Sequence, residues 1–88
     1  MDKANEVLIS ARERKKFNHQ QIADNAGISR SYYTNIENGN KNPSIRVALR
    51  IAGILGVAPE VLFPDVFKDM PGFFLQSNAP KRNKKRAG

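Results

Sequence analysis

The chain has 88 residues, with 15 Lys and Arg against 8 Asp and Glu, one histidine and no cysteine. That length makes one small domain with at most a tail, enough to build its own modest core. With no cysteine and His19 alone, disulfides, thiolate sites and His-cluster metal sites are excluded, and no apolar run approaches the roughly 20 residues of a membrane-spanning helix.

The net charge of +7 is unevenly placed. Residues 80–88, PKRNKKRAG, carry basic residues and no acid. They read as a basic, disordered tail. A basic chain meets polyanions, and the tail alone is enough to keep a protein soluble, so the body needs its own argument. The N-terminus MDKANEVLISARERKK is charged and has no signal-peptide core, which makes a cytoplasmic protein the expectation.

The first helix is predicted from about Lys3 to Lys16, capped by Asp2. Ala4, Val7, Leu8 and Ala11 share one face, and Arg14, Lys15 and Lys16 suit the helix's negative end. The second begins after Asn18, whose N-x-x-Q spacing to Gln21 is that of a capping box, and ends at Gly27. Ile22, Ala23 and Ala26 form its apolar side. The third begins after Ser29, turns Tyr33 and Ile36 inward, and stops at Asn38-Gly39. Asn40 to Pro43 is a loop. Ser44 caps a fourth helix, with Ala48, Ile51, Ala52 and Leu55 as its stripe, widened by Ile45 and Leu49, and Gly56 as its end. Pro59 opens a short fifth helix to Phe63. Beyond Pro64 the pattern weakens, with one possible strand over Gly72 to Gln76. The predicted organisation is a domain over 1–64, an extension over 65–79 and the tail over 80–88.

Residues 19–38 form a unit, because two helices joined by about three residues must cross steeply and closely. Ala23 supplies the small residue at the crossing and Gly27 the positive φ of the turn. With Tyr33 and Ile36 buried, Arg30, Ser31, Thr34 and Asn35 fall on the other faces. Together these features make a helix-turn-helix.

This pattern resembles the Cro/phage-repressor type of helix-turn-helix, the Xre family. The resemblance is carried by Arg12, by IADNAGISRSYYTNIENG over 22–39, by NPS over 42–44 and by ALRIAGILGVAPEVLF over 48–63. It covers about residues 5–63. It implies an all-α, compact five-helix domain, a bacterial or phage origin, double-stranded DNA as partner and a homodimer. It also implies that the third helix reads bases, at Arg30, Ser31 and Asn35, with Thr34 and Tyr32 as further candidates.

The chemistry fits those positions. Arginine forks onto guanine O6 and N7, asparagine onto adenine, while serine and threonine are adaptable. Arg30 could instead hold a phosphate. The amino end of the second helix is a natural phosphate site, with Asn18, His19 and Gln20 there. Asn38, Lys41, Asn42, Ser44 and Arg46 flank the other side. The family usually carries glutamine where this chain has His19, so His19 either keeps a phosphate contact through a ring N–H or is merely exposed. The resemblance further implies a structural ion pair between Arg12 and Glu37. Tyr33 is larger than the aliphatic residue common at its position, and either shifts the helix or turns its hydroxyl towards a phosphate.

Val61, Val66, Phe67, Phe73, Phe74 and Leu75 either pack on their own domain or pair with a second subunit. Three functions follow: a sequence-specific regulator, most simply a repressor; an antitoxin that also holds a toxin through residues 65–79; or an adaptor bound to RNA or a membrane through GFFL and the basic tail. No paired-acid cleft, nucleophile motif or phosphate-binding glycine loop is present, so an enzyme is the least expected class and no cofactor is implied.

Overall fold

In chain order, local capping chemistry divides the protein into helices, and burial then packs them. The computed structural model describes residues 3–69. Among these are six helices: α1 (Glu6–Arg14), α2 (His19–Ala26), α3 (Arg30–Glu37), α4 (Ile45–Leu55), α5 (Pro59–Leu62) and α6 (Pro64–Phe67). The fold is all-α, with a helix-turn-helix formed by α2 and α3. None of these helices is long and apolar enough to cross a membrane.

The starts of α2, α3 and α4 are set by side chains three residues back. Asn18, Ser29 and Ser44 accept the backbone N–H of Gln21, Tyr32 and Val47, which satisfies a donor with no partner inside the helix. Asn18 and Gln21 close a full capping box. Gly27 and Gly56 end α2 and α4 in the left-handed region, at φ 74° and 69°.

α1 is shorter than predicted at both ends. It begins at Glu6, and Asn5 caps it by accepting the Leu8 N–H. Asp2, the expected cap, lies outside the described residues. Asn5 does more than cap, because its side-chain amide donates to the Leu62 carbonyl at 2.8 Å and its backbone N–H to the Glu37 carbonyl at 2.8 Å. One residue therefore ties the starts of α1 and the ends of α3 and α5 together. At the far end Lys16 adopts φ 62°, and the N–H groups of Lys16 and Phe17 return to the carbonyls of Glu13 and Arg12. This is the bond pattern that glycine normally makes.

Among the described residues, fifteen apolar side chains form one core, from Leu8 to Phe67. Val7, predicted on the core stripe, is 48% exposed, and Ile45 is exposed too. The shorter α1 presents only Leu8 and Ala11 inward. α5 stops at Leu62, and Pro64 starts α6, which buries Phe67 and half-buries Val66. Both residues thus pack on their own domain, and the core runs past Pro64 because α6 adds an anchor. Phe73, Phe74, Leu75 and the suggested strand lie outside the described residues.

Gly39 shows how tightly the end of α3 is held. Its φ is 81°, and a Cβ there would sit 1.9 Å from the Lys3 carbonyl oxygen. Only glycine lets the segment before α1 cross this turn.

Candidate nucleic-acid interface

α3 has two faces of opposite character. Tyr33, Ile36 and Glu37 are buried, while Arg30 and Ser31 are exposed and Tyr32, Thr34 and Asn35 half-buried. Gln20, Arg30, Ser31, Thr34 and Asn35 line one open concavity. A second one adjoins it, lined by Arg12, Asn18, His19, Gln20 and Arg30. Polar side chains of two helices are thus gathered on one surface. Tyr32 is not among them; its side chain packs against the core.

Behind this surface lies a polar network centred on the Glu37 carboxylate. Arg12 Nε donates to Oε2 at 2.5 Å, and the Tyr33 hydroxyl donates to the same oxygen at 2.6 Å. Arg12 also donates to the Phe17 carbonyl at 2.9 Å. A carboxylate this deeply buried needs a counter-charge and filled lone pairs, and these partners provide both. The hydrogen bond to Glu37 raises the Arg12 pKa against the opposing effect of burial. The pair joins α1 to the last turn of α3.

Tyr33 therefore does not offer its hydroxyl to a phosphate. The hydroxyl is inside and bonded to Glu37, and desolvation, with that bond second, pushes its pKa above the ordinary phenol value. The consequence is alkaline. An unfolded tyrosine loses its proton near pH ~10, whereas the folded one keeps it. The stabilisation is complete below that pH and declines as pH rises towards the folded pKa, by up to about 1.4 kcal/mol per pH unit. Urea melts at about pH 9 and 11 should show a larger loss in the wild type than in Tyr33→Phe. Equal losses would contradict this assignment.

His19 differs most from expectation. Its Nδ1 lies 2.8 Å from Thr34 Oγ1 and its Nε2 3.2 Å from Glu37 Oε1. The ring meets that of Tyr33 edge-on, with centroids 5.4 Å apart. Both ring nitrogens thus face side chains of α3. The capping box occupies the N–H groups of Asn18 and Gln21, which leaves the backbone N–H groups of His19 and Gln20 as the open donors at this helix end. The Gln20 amide donates to Asp24 at 2.8 Å on the surface.

The remaining predicted residues lie around the end of α3 and the start of α4. Asn38 is the C-cap of α3 and Ser44 the N-cap of α4, its hydroxyl accepting from Val47. Arg46 is exposed. Lys41 and Asn42 line a different groove, shared with Val7 and Val61, and are not brought into the concavity of Arg30 and Asn35. Asn5 was missed as a support of α3. Its signal was a good capping residue directly before an apolar stripe.

A helix-turn-helix family model matches residues 8–62, more than half of the chain. The chain belongs to the Cro/Xre-type helix-turn-helix DNA-binding family. An uncharacterised HTH-type transcriptional regulator of Bacillus subtilis, YqaF, is 42% identical over 59 residues, which cover 67% of this chain and 78% of that protein. The immunity repressor protein of Bacillus phage phi105 is 39% identical over 50 residues, or 57% of this chain and 35% of the repressor. The chain thus spans about a third of that relative's length. The crystal structure of the restriction-modification controller protein C.AhdI from Aeromonas hydrophila matches with a TM-score of 0.62 at 30% identity, covering 67% of this chain and 89% of that one. The family is one of transcriptional regulators, not of enzymes. Within this helix-turn-helix, α2 (His19–Ala26) precedes the turn and α3 (Arg30–Glu37) follows it.

Proposed function

We propose that the protein is a sequence-specific regulator, acting as a repressor, that binds a two-fold symmetric duplex site as a homodimer. In this reading α3 enters the major groove. One observation carries it: Arg30, Ser31, Thr34 and Asn35 line a single open surface, while the other side of the same helix is anchored by Tyr33, Ile36 and Glu37. A rigid helix with a polar outer face suits base readout.

The roles follow from side-chain chemistry. Arg30 forks onto guanine and Asn35 onto adenine, with Ser31 and Thr34 between them. The open N–H groups of His19 and Gln20, helped by the α2 dipole, take a phosphate. Asn18, Gln20, Asn38, Lys41, Asn42, Ser44 and Arg46 are the further phosphate candidates. The names of the phage repressor and of the Bacillus regulator support regulation of transcription as the outcome.

One recognition helix covers too few base pairs to be selective in a genome, which favours two copies spaced by one turn of DNA. Val61, 52% exposed on α5, offers an apolar contact for the second copy. The test is a titration of a selected duplex followed by sedimentation. Two chains should bind each symmetric site, and a single half-site should bind about tenfold or more weakly. One chain per full site, with no loss on halving, would refute the dimer. The antitoxin reading rests on residues 65–79 and the adaptor reading on GFFL and the basic tail, most of which lie outside the described residues, and no observation among the described residues favours them.

A further inference from the structure

We propose that His19 fixes the direction of the Thr34 hydroxyl and thereby makes Thr34 a reader of amino bases, adenine or cytosine. The inference rests on the reading that α3 lies in the major groove. His19 is a positioning residue here, acting through Thr34.

The argument starts from Glu37. Its carboxylate can only accept hydrogen bonds. His19 Nε2 lies 3.2 Å from Oε1. A bare nitrogen lone pair turned towards a negative oxygen at that distance is unfavourable, which favours the neutral tautomer with its hydrogen on Nε2. The charge of Glu37 is matched separately by Arg12, so the carboxylate does not depend on the imidazole for its counter-charge.

With the hydrogen on Nε2, Nδ1 is an acceptor. Thr34 Oγ1 is 2.8 Å away. Its one hydroxyl hydrogen must then point at the ring. The T-shaped contact with Tyr33 holds the ring in this orientation. What Thr34 retains on its outer side is lone pairs alone.

Thr34 is half-buried and lines the concavity with Arg30, Ser31 and Asn35, and in this proposal its outer lone pairs serve that surface. In the major groove, adenine N6 and cytosine N4 donate hydrogen bonds, whereas guanine O6 and thymine O4 accept them. An acceptor-only hydroxyl pairs with the first two and opposes the second two. An unrestrained threonine takes either, because its hydrogen rotates. A glutamine in place of His19 would impose no such polarity, since its amide offers both a donor and an acceptor.

The test is selection from a random duplex pool at about pH 8.5, scored position by position. The proteins are wild type, Thr34→Val and His19→Gln. The wild type should show adenine or cytosine at one position of each half-site. Thr34→Val should lose that preference at that position alone. His19→Gln should admit guanine and thymine there, relaxing the preference roughly three- to tenfold, while Arg30 and Asn35 keep their letters. Any of three results would overturn the proposal: a keto base at the Thr34-dependent position in the wild type, an unchanged preference in His19→Gln, or equal weakening of every position in His19→Gln, which marks a brace and nothing more. A wild type with no consensus at all would remove the groove reading itself, and this inference with it. That outcome is distinct from a consensus with the wrong letter at one position.

Discussion

Glu37→Gln should lower the unfolding free energy by about 3 kcal/mol, the lower end of the cost of removing one member of a buried ion pair. The change keeps the shape and removes only the charge. Arg12, with 14% of its side chain exposed, is left without its counter-ion, and some access to water keeps the cost near the bottom of the range. Tyr33 and His19 lose their shared carboxylate in the same step. For a domain whose whole stability is about 5–15 kcal/mol, that is a large share. Urea unfolding would show it as a lower midpoint with an unchanged slope. Replacing both residues, as Arg12→Met with Glu37→Leu, should cost less than Glu37→Gln alone, because no charge is then left unpaired. A loss below about 1 kcal/mol for Glu37→Gln would mean that water already solvates the pair.

The second large effect is on binding. Arg30→Ala and Asn35→Ala should each remove about 1–3 kcal/mol of discrimination at their own base pair. Stability should hardly change, within about 0.5 kcal/mol, since neither side chain is part of the core. The double variant should still bind DNA loosely through phosphate contacts and should keep a strong salt dependence. Competition with unrelated duplex at fixed salt would measure this. If both single variants weakened all duplexes equally, Arg30 and Asn35 would be phosphate contacts and not base readers.

What was legible in the sequence is mostly local. The caps at Asn18, Ser29 and Ser44 act on N–H groups three residues on, so their spacing is visible in the string of letters. Gly27, Gly56 and Pro59 are equally plain, because each answers a backbone demand at its own position. The stripes of α2, α3 and α4 were readable for the same reason. The end of α1 was not, because Lys16 takes a left-handed conformation that lysine does not advertise. Nor was α6, since four residues are too few for a period.

Long-range contacts were least visible. His19 and Thr34 are 15 residues apart, and Arg12 and Glu37 are 25 apart. No local spacing links either pair. The second is implied by the family resemblance, whereas the first involves a histidine where the family usually carries glutamine. The sequence leaves His19 between a phosphate contact and simple exposure, whereas the fold turns its ring onto α3. Tyr33 and Glu37 are different: they stand four apart on one helix face, a spacing that permits contact, and only the burial of both shows that the hydroxyl is used inside.

The central claim is that α3 reads duplex sequence from both halves of a symmetric site. Selection from a random duplex pool at near-physiological salt, comparing wild type with Arg30→Ala/Asn35→Ala, tests it most directly. The account predicts a short consensus with two-fold symmetry in the wild type and its loss in the double variant. Binding with no consensus, and equal in the two proteins, would contradict it and assign the binding to charge alone.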